Sequence, residues 1–142
     1  MNLSKQINVV RLVNATVAGS TAVNGTHVDM DGWDGVIFVC FLGTLTATQV
    51  TSLKAQNGSL ANDTDQADIT GVVTGAAADG DSNKMLVLDV YRPLKRYVRP
   101  VVNRATANAV IDAVFAIQYQ GDKYGNTTAD ASVSQALVGI GV

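Results

Sequence analysis

Glutamate is absent from this sequence of 142 residues; all 12 acidic side chains are aspartate. Glu is a strong helix former, so its absence argues against a helical protein. Cysteine occurs once, as Cys40, which excludes an intrachain disulfide and a thiolate metal cage. Histidine also occurs once, as His27, so most hydrolase and metalloenzyme constellations lack parts. No enzyme and no cofactor are therefore expected. Charged residues make up only 15%, and the net charge of −2 leaves no global basic field, so no direct contact with nucleic acid is expected. Long apolar runs are missing as well. The longest, Val36 to Leu42, falls far short of the roughly 20 residues of a membrane span, and no membrane association is expected. Met1 to Gln6 has no apolar signal core behind it, so the sequence predicts a protein that is not exported. On that reading the Asn-x-Ser/Thr sequons at Asn2, Asn14, Asn24, Asn57, Asn62 and Asn126 are incidental.

What is present points one way. Apolar residues supply 47% of the chain, which rules out disorder as a description of the whole. Val, Ile and Thr contribute 21, 6 and 13 residues, and β-branched side chains favour strands. The expectation is an all-β protein. The length suits a single β-sandwich domain over residues 1–142, with an extended C-terminal tail from about residue 121.

Short apolar runs alternate with Gly, Asn and Asp clusters, the pattern of a sandwich or barrel. Strands are expected over Ile7–Val13, His27–Met30, Val36–Leu42, Thr48–Ala55, Ile69–Thr74, Met85–Tyr91, Tyr97–Arg104 and Ala109–Tyr119. Gly19-Ser20 and Asn24-Gly25-Thr26 read as punctuation, and Asp31-Gly32-Trp33-Asp34-Gly35 as a turn. The Val36–Leu42 run is apolar at both parities, which predicts a central strand covered on both faces. Pro93 and Pro100 place the Tyr97–Arg104 strand near a sheet edge or at a bulge, because proline lacks the ladder donor. In Ala109–Tyr119, Ile111, Ala113, Phe115 and Ile117 share a parity that reads as the buried face, opposite Asp112 and Gln118. About eight strands favour a jelly-roll-like, two-sheet antiparallel sandwich.

Few residues suggest chemistry. Cys40 lies inside an apolar run and reads as a core residue. His27, Asp29 and Asp31 alternate and could share a strand face, but Asp31 already belongs to the turn, so no metal site is expected. The Asp clusters at 63–65 and 79–83 lack the Gly and terminal Glu of an EF-hand and read as solvated turns. Arg92, Lys95, Arg96, Arg99 and Arg104 concentrate half of the ten basic residues, and Arg92, Arg96 and Arg99 are candidate contacts to an acidic partner surface. In a continuous strand Arg92 and Arg96 would share a face. Trp33 stands either as a lid on the core or as a contact anchor. The tail regains apolar character at Leu137, Val138 and Ile140, candidate contacts to a second subunit.

Two stretches also resemble a known family. Val28-Asp29-Met30-Asp31-Gly32-Trp33-Asp34-Gly35-Val36-Ile37-Phe38-Val39, followed by Leu42-Gly43, is similar to a segment of small proteins encoded near the major capsid protein in tailed bacteriophages. Leu88-Asp89-Val90-Tyr91-Arg92-Pro93, then Arg96-Tyr97-Val98-Arg99 and Arg104-Ala105-Thr106-Ala107-Asn108, resembles a second segment of the same proteins. The resemblance runs roughly from residue 5 to 120. It implies a capsid cement, or decoration, protein with a jelly-roll fold, made in the host bacterial cytoplasm and placed on the outer capsid surface of the virion. The implied partners are the major capsid protein and a second copy, as a homodimer with a trimer as the alternative. No catalytic residues carry over. A head-fibre base, a tail component and, behind them, a carbohydrate-binding sandwich are the competing readings.

Overall fold

Strands account for nearly all the regular structure of the chain. A computed structural model describes residues 2–120. After a single 3-10 turn at Leu3–Lys5 come β1 (Ile7–Val13), β2 (Thr16–Gly19), β3 (Val23–Asn24), β4 (Val28–Asp29), β5 (Gly35–Leu45), β6 (Val50–Gly58), β7 (Ala67–Val73), β8 (Met85–Tyr91), β9 (Tyr97–Ala105) and β10 (Ala109–Tyr119). All pairings are antiparallel. One sheet runs β1-β10-β5-β8, with β2 also on β10; the other runs β3-β9-β6-β7, with β4 also on β9. Counting β1 with β2 and β3 with β4 as two interrupted strands reduces the ten to eight. The chain then changes sheet at every connection except β6 to β7. That order is the jelly roll, and the all-β sandwich expected from composition is what forms.

The core lies between the two inner faces. Val36, Phe38, Cys40 and Leu42 of β5 are at most 2% exposed, and Leu53, Val98, Val102, Ile111 and Val114 meet them from the other strands. Cys40 belongs to this cluster, and burial, then the nearby Asp112 charge, pushes its thiol up to about 12. It remains a protonated apolar side chain at neutral pH.

Several expectations are corrected by the tertiary arrangement. β9 is an interior strand, flanked by β6 on one side and by β3 and β4 on the other. Pro100 fits there because the outer neighbour is broken between Asn24 and Val28. The Pro100 carbonyl points into that break, where it accepts from the Gly25 amide at 2.9 Å, so the missing N–H faces the same gap. Gly25 packs on the proline ring, and a Cβ there would lie 2.7 Å from Pro100 Cγ. β2 and β3, short strands not expected from the sequence and held by long-range pairing, end at Gly19 and Asn24, the first residues of the stretches read as punctuation.

β10 changes face. Its register against β5 shifts between Ala109 and Ile111 and again between Ile111 and Ala113. A bulge adds a residue to one strand and reverses the parity beyond it. Ile111 is therefore core, as expected, but Val114, Ala116 and Gln118 take the inner face while Phe115 and Ile117 point outward. Gln118 is satisfied inside: its amide donates to the Asp29 carbonyl at 2.7 Å and accepts from Asn8 at 2.9 Å. β6 runs on through Asn57 and Gly58 instead of ending before them. The tail, with Leu137, Val138 and Ile140, lies outside the described residues.

Candidate interaction surface

The two outer faces of the sandwich differ in chemistry. On the β3-β9-β6-β7 sheet many outward side chains are polar and bonded across strands, with Val50, Val73 and Val101 interspersed among them. Asn103 donates to Ser52 at 3.1 Å, Arg99 to Gln56 at 2.9 Å, and Gln56 and Lys54 both donate to Asp68, at 2.7 and 2.9 Å. Such cross-strand pairs suit a face that stays in water.

The outer face of the β1-β10-β5-β8 sheet is apolar. Directly paired residues of an antiparallel sheet share a face, so the register lays this one out in rows. The first row is Ile7, Tyr119, Gly35 and Tyr91; the second is Val9, Ile117, Ile37 and Asp89. The third is Arg11, Phe115, Val39 and Val87, and beyond it Phe41 pairs with Ala113 and Met85. Val9, Met85 and Val87 are 59%, 56% and 55% exposed, and Ile37, Val39, Phe41, Phe115 and Ile117 are half-buried. β5 is central, as expected, but on its outward face Ile37, Val39 and Phe41 are only half-buried, and Gly35 and Gly43 are the residues covered by neighbouring side chains.

The aromatic side chains hold this face in a defined arrangement. Phe41 and Phe115 meet edge to face with centroids 5.5 Å apart, and the Arg11 guanidinium sits 5.7 Å over Phe115. The Tyr119 ring crosses over Gly35, where any Cβ would collide with it. It stacks on Tyr91 and its hydroxyl donates to Asp89 at 2.7 Å. Burial, reinforced by the Asp89 carboxylate, raises the Tyr119 pKa.

The basic cluster does not act as one patch. Arg92 to Arg96 is a loop, so Arg92 and Arg96 share no strand face. Arg92 lies over the Tyr91 ring with φ of 49°. Arg96 grips both oxygens of Asp29 at 2.8 Å and approaches Asp31 at 3.6 Å. Arg104 is buried in the sandwich. Trp33 packs against the core and also lines a hollow of about 370 Å³ with Met30, Arg92 and Arg96, so it lids one end of the sandwich.

The remaining candidates are occupied by local structure. His27 lines one hollow with Asp29 and Asp31 but bonds Asp63 at 2.7 Å, and no group of three potential metal ligands converges among the described residues. Asp65 accepts from the Ser59 and Leu60 amides, Asp79 from Thr48, and Asp81 from Ala78, so these carboxylates hold loop backbones.

The hydrogen bond from Arg96, opposed by partial desolvation and helped by the Asp31 amide, lowers the Asp29 pKa from 3.8 to about 2. A depressed carboxylate contributes stability above its unfolded value and loses it as pH falls through the folded one. Asp29→Asn is therefore expected to lower the urea midpoint modestly at pH 7, since the pair is solvent-exposed. The difference from the parent should shrink below pH 3.8 and vanish only below about 2. A pH-independent difference would show that the pair contributes nothing through its charge.

No family model matches this chain, and no curated protein matches it significantly. Among solved structures it is similar to a chain from Bacillus endospore appendages, described as a novel family of disulfide-linked pili, at 14% identity and a TM-score of 0.47. That match covers 81% of this chain and 88% of the other. No helix among the described residues is long and apolar enough to cross a membrane.

Proposed function

We propose that this chain is a non-enzymatic structural protein that binds the outside of an icosahedral phage capsid and cements neighbouring capsomers. The observation that carries the reading is the asymmetry of the sandwich, one outer face wet and the other a continuous apolar surface. A face of that kind suits a component built into an assembly, since only contact with protein removes it from water. The resemblance to proteins encoded beside the major capsid protein supplies the assembly. Arg92 and Arg96, around the hollow lined by Trp33 at the end of the sandwich, are the side chains offered to the shell, with Arg99 a separate contact on the polar sheet.

A cement protein binds the finished lattice in preference to its scattered subunits, so mass action favours the assembled shell. At free protein about a hundredfold above its dissociation constant, each site adds roughly 2.7 kcal/mol to the bound state. Many weak sites together resist the pressure of packaged DNA. The test is DNA release against temperature for native, depleted and restored particles. Depleted capsids should assemble but release DNA at lower temperature, and purified protein should restore resistance, saturating at a fixed ratio to the shell protein. Identical curves for depleted and native particles would overturn the reading and leave a head-fibre or tail role.

A further inference from the structure

We infer that the apolar outer face of the β1-β10-β5-β8 sheet is the contact surface for a second copy of this chain, packed face to face about a two-fold axis running along the strands. Three features single out that occupant. The first is charge placement. Within the rows of this face the charged side chains are Arg11, on edge strand β1, and Asp89, on edge strand β8. Arg11 also donates to the Val13 and Asp112 carbonyls, Asp89 accepts from Tyr119, and Asp112 follows at the β10 bulge beside Gly43. A two-fold axis along the strands lays β1 of one copy over β8 of the other. Arg11 then stands within one residue row, about 7 Å along the strand, of the partner's Asp89, and the contact occurs twice. An axis across the strands would instead lay β1 over β1 and bring like charges together, which is unfavourable. The face is thus complementary to itself in one orientation.

The second feature is size. Four strands spaced about 4.8 Å apart, with rows covering about 20 Å, give a footprint of roughly 400 Å² on each copy. The total of about 800 Å² lies just below the roughly 1,000 Å² of a stable specific interface, so the association is expected to be weak and to form at high protein concentration. The third is order within the face. The Phe41–Phe115 contact, the Tyr91–Tyr119 stack and the Arg11–Phe115 contact already fix the bulky side chains, so little rotamer freedom remains to be lost on binding. Two such sheets would pack about 10 Å apart, as the sheets of a sandwich do.

The inference draws on the same face as the shell-binding reading, and the two are tested separately because self-association is measured on the purified full chain without capsids. Sedimentation equilibrium up to about 100 μM should show a monomer–dimer equilibrium. Val87 is 55% exposed, so Val87→Arg leaves the fold intact, which thermal unfolding checks, yet should weaken the dimer at least about tenfold. Arg11→Asp and Asp89→Arg should each weaken it, and the double variant should recover most of the loss, as only a reciprocal pairing allows. Met85, 56% exposed, should be oxidised by peroxide more slowly as concentration rises. A chain that stays monomeric at the highest concentration overturns the inference. So does a dimer indifferent to Val87→Arg, which would lie on another surface. Met85 protected in a monomer would assign the face to the C-terminal segment instead, and monomers that bind bare shells through it would assign it to the capsid.

Discussion

Replacing Arg104 by methionine is expected to destabilise the folded domain by about 3 kcal/mol or more. The guanidinium is only 7% exposed, and its hydrogen bonds go to backbone carbonyls. Nε donates to Thr21 at 2.8 Å, while Nη1 donates to Val17 at 2.9 Å and to Ala109 at 2.7 Å. One side chain on β9 thereby ties down the β2–β3 connection and the start of β10. Losing the donor of a buried carbonyl costs about 1–3 kcal/mol, and bonds from a charged donor stand at the upper end. The three do not add fully, because Val17 and Thr21 are exposed enough for water to replace part of the loss. Lysine keeps the charge but cannot span three acceptors from one planar group, so Arg104→Lys should recover less than half. Urea unfolding gives the magnitude, and amide exchange should show residues 16–24 opening first. A loss below about 1 kcal/mol would mean that solvent satisfies these carbonyls equally well.

Phe38→Ala is expected to cost about 3–5 kcal/mol, a large part of the 5–15 kcal/mol that typically separates folded from unfolded domains. Phe38 is fully buried on the inner face of β5, at the centre of the sandwich, and its loss leaves a cavity that neighbouring strands cannot close without breaking their ladders. Phe41, three residues along the same strand, projects to the outer face and is only half-buried. Phe41→Ala should cost the isolated subunit much less, about 1 kcal/mol, since water already reaches the ring. Measured at concentrations too low for self-association, the ratio of the two losses reports which side of β5 is sealed. Equal losses would contradict the assignment of faces.

Much of this was readable from local pattern. The missing Glu and the abundance of β-branched residues point to strands. Met85–Tyr91 alternates cleanly, and Leu86, Leu88 and Val90 face inward as their parity requires. The Asp-rich stretches and Cys40 behave as short-range chemistry dictates, capping loop amides and filling the core. These features depend on neighbours a few residues away.

The interaction surface was not readable in the same way. Val36–Leu42 is apolar at both parities, which tells that both sides are away from polar neighbours but not what covers each. The bulge in β10 turned Phe115 and Ile117 outward beside Ile37 and Val39, converting an apparent core stripe into an exposed face. The cluster of five basic residues looked like one patch because spacing along the chain is all a sequence displays. Folding sent Arg104 into the interior, paired Arg96 with Asp29 and laid Arg99 on the polar sheet. Composition and periodicity by themselves determined an all-β sandwich, its turns and most of its strands, because those follow from backbone preference and the two-residue repeat. Strand pairing decided which strand could hold a proline, where β10 reversed and which apolar sheet face lies only half-buried among the described residues. Each of those depends on pairings between residues as far apart as Ile7 and Tyr119, whose register no local pattern contains.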